Sequence, residues 1–207
     1  MRPTSPLLAV FLLALAACSA TMSKDECRTV DWRTIGYEDG VAGRSGEQIG
    51  LHRKACAEYG VAPDLNAYRS GRAEGLREFC HPHNGYRAGV TGAAYYDGCP
   101  AELAPPFEEA YEAGRQLFIR ENRVWQTDEQ LAHDRREIAR LEDRVAESAF
   151  DVIAASATPK QRADGVLDAK QAAERIGRLK AEIAQLEKDR VQYSAELDAY
   201  RSTHPPR

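Results

Sequence analysis

Tyr37-Glu-Asp-Gly40, Tyr68-Arg-Ser-Gly71, Tyr86-Arg-Ala-Gly89 and Tyr111-Glu-Ala-Gly114 repeat one signature between Asp31 and Leu117. A second glycine lies four residues from another in Gly36/Gly40, Gly71/Gly75 and Gly85/Gly89. Residues four apart share a helix face, so each pair opens a bare patch where a second backbone can approach. A glycine costs a helix about 1 kcal/mol relative to alanine, and close packing is what offsets that loss. The stretch therefore reads as packed helices. A β-meander with Tyr-x-Gly units on hairpins would need period-two alternation, which is nearly absent.

Working outward, Cys27 lies just ahead of this stretch and Cys56, Cys80 and Cys99 lie within it. An even set of thiols in an exported chain reads as two structural disulfides. Three pairings are open. Helices over 47–59 and 64–79 that fold back on each other would put Cys56 at the turn and Cys80 about 20–24 Å away. A disulfide spans a Cα separation of about 4.4–6.8 Å, so Cys56–Cys80 is disfavoured. The reading leans to Cys27–Cys56 with Cys80–Cys99, leaving Cys27–Cys80 with Cys56–Cys99 as the alternative.

Local signals set the order of elements. Asp31 precedes Trp32 as a helix entry, and Gly36 to Gly46 suggests a short, interrupted helix. Gly60 ends the helix before it, and Asp64 opens the next. Pro82 and Asn84-Gly85 mark a break after Cys80, and Pro105-Pro106 starts a helix through Phe118.

These motifs fall in a recognisable order. Trp32-x-x-x-Gly36-Tyr37-x-Asp39-Gly40-x-x-Gly43 is followed by His52-x-x-x-Cys56 and Tyr68-x-x-Gly71-Arg72-x-x-Gly75-Leu76-x-x-Phe79-Cys80. Asn84-Gly85-Tyr86-x-x-Gly89 and Tyr95-x-x-x-Cys99-Pro100 complete the series. Over residues 27–117 the chain resembles the family catalogued as domain of unknown function 2799, proteobacterial proteins that often carry a lipoprotein signal. The resemblance implies a small cysteine-stapled domain in the cell envelope. It transfers no activity and no catalytic residue.

The N-terminus carries its own address. Arg2 precedes an apolar run from Leu7 to Ala17, too short to span a bilayer, with the order of a secretory signal. The run closes on Leu15-Ala16-Ala17-Cys18, which resembles the lipobox of bacterial lipoproteins. That resemblance implies cleavage before Cys18, lipidation of its thiol and acylation of the new amine. Each buried CH2 of such chains contributes roughly 0.8 kcal/mol, so several chains anchor stably. Ser19 stands where an Asp would favour retention at the inner membrane, so the expected location is the periplasm-facing outer membrane.

Beyond residue 120 the composition shifts to Glu, Arg, Ala and Leu, with apolar residues at heptad spacing in two blocks. The first places Val124, Leu131, Ile138, Val145 and Val152 at one seam position and Thr127, Asp134, Leu141, Ser148 and Ala155 at the other. The second has Ala169, Ile176, Ile183, Arg190 and Leu197, then Ala172, Leu179, Leu186, Tyr193 and Tyr200. This predicts an antiparallel hairpin with 156–168 as its connection, where Pro159 and Gly165 signal a turn. Each block carries one seam charge, so Asp134 facing Arg190 is the expected register pair. It would stack Leu131 on Tyr193, Ile138 on Leu186, Leu141 on Ile183 and Val145 on Leu179.

Candidate chemistry is sparse. Cys80-His81-Pro82-His83 in extended backbone would turn both imidazoles to one side, making His81 and His83 weak metal candidates. An oxidised Cys80 is not the thiolate zinc prefers, so no metal is expected. His52 and Cys56 lie one turn apart, but a structural cysteine beside a histidine accounts for them. The repeat tyrosines with Trp32 would either line a sugar groove or pack the core. No nucleophile elbow, zinc-protease motif or phosphate loop is present. The 28 basic and 32 acidic side chains, net −4, give no reason to expect nucleic acid.

The expected chain is mostly α: a small disulfide-stapled helical repeat domain followed by a long antiparallel helical hairpin, a coiled coil. Its parts are a lipoprotein signal peptide at 1–17, a lipidated tether at 18–30 and the repeat domain at 31–120. The coiled-coil hairpin follows at 121–202, with a disordered tail at 203–207. The expected function is a non-enzymatic envelope lipoprotein that binds an unidentified envelope protein, without cofactor. The alternatives are a peptidoglycan- or glycan-binding module, possibly hydrolytic, and a metal-binding lipoprotein.

Overall fold

The computed structural model describes residues 22–96 and 98–204, so Cys18 and the signal segment lie outside the described residues. The described chain is mostly helical and divides into two compact units, residues 1–79 and 80–207.

In the first unit a short helix, α1 (Lys24–Thr29), is closed by a reciprocal box between Ser23 and Glu26. Asp31 accepts from the Arg33 N–H at 3.0 Å and starts α2 (Trp32–Val41). α3 (Gln48–Ala57) runs out before Gly60, whose φ of 69° suits only glycine among ordinary residues. Asp64 then accepts from the N–H groups of Asn66 and Ala67 and opens α4 (Leu65–Phe79).

The glycines decide how α2 and α4 meet. A Cβ added to Gly36 or Gly40 would strike the carbonyl oxygen of Tyr68 or Arg72, and one on Gly71 or Gly75 that of Arg33 or Tyr37. The crossing is thus reciprocal, backbone on backbone, and no side chain fits between. Cys27 and Cys56 form a disulfide beside it, with Cα atoms 5.5 Å apart. Around that bond Trp32 and Tyr68 make the buried core.

The second unit builds the same device again. α5 (Pro82–Val90) crosses the start of α6 (Ala104–Ile153), and an added Cβ on Gly85, Gly89 or Gly114 would strike the carbonyl of Phe107, Tyr111 or Tyr86. Gly43 and Gly92 follow the first helix of each pair at φ 66° and 69°, with the rings of Phe79 and Phe118 against them. Cys80–Cys99 staples this copy, Cα to Cα 5.7 Å. Position by position, Gly36-Tyr-Glu-Asp-Gly40-Val-Ala-Gly43 corresponds to Gly85-Tyr-Arg-Ala-Gly89-Val-Thr-Gly92.

α6 does not stop near residue 120. It is one helix of 50 residues, about 75 Å at 1.5 Å per residue. The expected boundary at 120/121 therefore falls inside a helix, because Gln116 to Val124 offers neither glycine nor proline to break it. The repeat stretch divides instead between Phe79 and Cys80. Likewise 156–168 is not a loop. Thr158 and Gln161 form a capping box, Pro159 takes the first helical turn, and α7 (Pro159–Thr203) carries Gly165 inside it. Only residues 154–158 connect the two helices.

Ion pairs join α6 to α7 with numbers falling on one as they rise on the other: Glu121–Arg201, Arg123–Glu196, Asp128–Arg190, Arg135–Glu187 and Glu142–Lys180. Leu141, Ala172 and Leu179 form a buried seam, flanked by Ile138, Val145 and Ile176.

The expected pairing of Asp134 with Arg190 is not found. Arg190 Nε donates to Asp128 Oδ1 at 2.7 Å, both side chains half exposed. Asp134 shares a notch with Glu182 and Leu186, one turn along α7 from Arg190. The long guanidinium stem reaches a carboxylate in water, which spares it the desolvation that meeting Asp134 would cost.

Candidate functional site

The most densely polar interior of the first unit is built on one carboxylate. Asp39, on α2, is 4% exposed. Its Oδ2 accepts a hydrogen bond from the Tyr68 hydroxyl of α4 at 2.7 Å and lies 2.9 Å from His52 Nε2 of α3. Arg44, in the turn after α2, reaches Oδ1 at 3.3 Å. One buried charge thus draws three helices and a loop together, and each of its oxygens is satisfied.

Burial, then the hydrogen bond to Asp39 and the negative charge there, push the Tyr68 phenol well above its ordinary value of 10.0. Tyr68 is therefore a neutral donor at physiological pH. Trp32 and Tyr68 rings flank His52 at 6.4 and 6.1 Å. The cluster can orient a histidine, but its primary action is to clamp α2, α3 and α4 at one point.

In the second unit the corresponding positions hold Ala88 for Asp39 and Phe107 for Tyr68. Acid and phenol are absent together, as expected of a pair in which one partner alone would be buried unsatisfied. The sequence reading had set His52 beside Cys56 and passed over Asp39. Aligning the two glycine frames would have exposed the acid, since it stands on a buried helix face where its counterpart is alanine.

The other sequence candidates scatter. Cys56 is bonded to Cys27 and does not meet His52 as a thiol. His81 sits in extended backbone at the start of α5, but His83 is already in the helix, so the extended geometry that would have brought both imidazoles to one side does not exist. Among the described residues no group of three His, Cys, Asp or Glu side chains is placed to hold a metal. The repeat tyrosines do not share a groove. Tyr68 and Trp32 are core, Tyr37 is exposed, and Tyr111 donates to the Ala93 carbonyl at 2.9 Å.

Tyr86 opens into a sizeable cavity. A space of about 860 Å³ lies between α5, the first turns of α6 and the end of α7, walled by Pro82, Tyr86, Ala110, Ala113 and Tyr200. Tyr200 is fixed there: its hydroxyl donates to the Ala113 carbonyl at 2.7 Å, and its ring lies between His204, stacked at 4.2 Å, and the Arg120 guanidinium at 4.4 Å.

The seam of α6 and α7 has its own buried acid. Asp134 is 2% exposed; Oδ1 accepts from Gln130 Nε2 at 2.8 Å and lies 3.1 Å from His133 Nδ1. Its Oδ2 is buried with no partner. No helix among the described residues is long and apolar enough to cross a membrane.

Residues 31–116 match the family described as Protein of unknown function (DUF2799), which bears out the resemblance read from the glycine and cysteine order. No curated protein and no solved structure matches the chain.

Proposed function

We propose that this chain is a non-enzymatic lipoprotein of the cell envelope, anchored through Cys18, whose α6 and α7 form an antiparallel coiled-coil arm that holds another protein. One observation carries this reading. Where α6 ends and α7 begins, Phe150, Ile153, Val166 and Leu167 are exposed at 71%, 74%, 58% and 52%. Large apolar side chains gathered in water mark an interaction surface. The Leu15-Ala16-Ala17-Cys18 segment supports the anchor, and a disulfide in each unit suits an oxidising compartment.

A photo-crosslinking residue at Phe150 or Leu167, activated in intact cells, tests it. One dominant protein adduct, weakened by Ile153→Ser, is expected. Adducts spread over many proteins, or unchanged by Ile153→Ser, would count against the reading.

A second reading, a wall-glycan module, has one observation in its favour: Tyr86 and Tyr200 wall the 860 Å³ cavity. Co-sedimentation with purified peptidoglycan that is lost on Tyr86→Ala would favour it.

A further inference from the structure

We propose that the notch at Asp134 receives an arginine side chain of the protein held by the α6/α7 arm. This rests on the interaction reading above and names the chemistry of the partner.

The argument begins with a missing cation. Asp134 is 2% exposed, and a buried carboxylate is stable only when paired and fully hydrogen-bonded. Oδ1 has two neighbours, but Oδ2 has none. The cations nearby along the helices are committed elsewhere: Arg190 to Asp128, Arg135 to Glu187 and Lys180 to Glu142. His133 meets only Oδ1, so among the described residues no side chain reaches Oδ2.

The space in front of it fits what is lacking. A notch of about 300 Å³ is lined by Gln130, Asp134, Glu182, Gln185 and Leu186. It therefore holds two carboxylates and no cationic side chain. Gln185 gives its Nε2 to Asp189 at 2.8 Å, which leaves its oxygen as a further acceptor. Several acceptors around one space suit the five N–H donors of a guanidinium better than the single point charge of an ammonium. Leu186 offers an apolar wall to the methylene stem of such a side chain. A metal ion fits less well: among the described residues no three His, Cys, Asp or Glu side chains are placed to hold one.

The same logic explains why the acid persists in a seam of Leu131, Leu141 and Leu179. Residues kept for binding are often those that cost the free protein stability. Asp134 should then be a liability in the isolated chain and an asset in the complex.

The test uses the full chain in detergent, without the partner, so that it can fail independently of the crosslinking experiment. N-acetylarginine amide is titrated while the side-chain amide signals of Gln130 and Gln185 are followed by NMR, with the neutral isostere N-acetylcitrulline amide as control. Arginine amide should shift both signals saturably, and citrulline amide at least tenfold more weakly. Asp134→Asn should abolish the response, Glu182→Gln should weaken it, and Asp134→Asn should melt no lower than the wild type. Equal responses to both probes, no response to arginine amide, or a response surviving in Asp134→Asn would overturn the proposal. So would a lower melting temperature for Asp134→Asn, which would make the carboxylate a structural requirement. An unchanged response in Glu182→Gln would overturn it as well.

Discussion

The α2/α4 and α5/α6 crossings share a backbone and differ in what they enclose. Both bring glycine faces against carbonyl oxygens, both follow the first helix with a left-handed glycine under a phenylalanine ring, and both carry a disulfide. Yet the first encloses Asp39 and Tyr68 where the second has Ala88 and Phe107, and it shows Arg72 where the second shows Tyr111. Arg72 and Tyr111 present the same carbonyl to Gly40 and Gly89. The crossing therefore constrains the main chain and the glycines, while the side chains beside it are free to be polar or apolar as a set.

The most direct way to break the shared part is to put a methyl group into it. Gly71→Ala places a Cβ on the Arg33 carbonyl, backbone that cannot move aside as a flexible side chain could. We expect a loss of at least about 3 kcal/mol in chemical denaturation, or no folded protein. Gly177→Ala, on α7 with nothing within 4 Å of the added atom, should instead stabilise by about 0.5–1 kcal/mol. Similar costs at both positions would deny the crossing its role.

The contents of the first copy should show in alkaline stability. The folded chain holds the Tyr68 proton above its ordinary value, whereas the unfolded chain releases it near pH 10. The contribution of Tyr68 is thus whole below about pH 10 and falls by about 1.4 kcal/mol per pH unit above it, toward the folded value. Tyr200, shifted the same way by burial, adds to the slope. Tyr68→Phe should cost about 1.5–3 kcal/mol at neutral pH and make the alkaline decline shallower. Phe107→Tyr, which buries a phenol opposite Ala88 with no carboxylate to receive it, should cost about 1–3 kcal/mol at neutral pH.

The smallest effect is expected far from both crossings. Arg190→Ala removes an ion pair whose members are 47% and 43% exposed, and it should change stability by no more than about 0.5 kcal/mol. A larger loss would restore Arg190 to the seam.

Much of this build was readable from the chain. Glycines four apart foretold close helix contact, Asp31 and Asp64 marked two helix starts, and Gly60 marked an end, because each acts within one turn of itself. Other features depend on distant partners. Nothing within residues 116–124 said whether the helix from Ala104 would stop, and only the absence of a breaker argued that it would not. Heptad spacing identified Asp134 as a seam position but not its neighbour. Arg190 could reach Asp128 in water, and a single pair of charges does not fix a register when one side chain is long and flexible. Asp39 was hidden for a related reason: an acid between glycines looks like a solvated helix face until Tyr68 and His52 arrive from two other helices.

The claim that one scaffold carries two interchangeable interiors is tested most directly by a double-mutant cycle on Asp39→Ala and Tyr68→Phe, followed by urea denaturation at pH 7. Together the two changes give this pair of positions the residues they have in the second copy. Each alone should destabilise, and the double variant should cost less than the sum by at least about 1 kcal/mol, since it leaves no phenol buried without its acceptor. Additivity within about 0.5 kcal/mol would contradict the account, showing that acid and phenol act separately and that the two copies are not exchangeable at this pair.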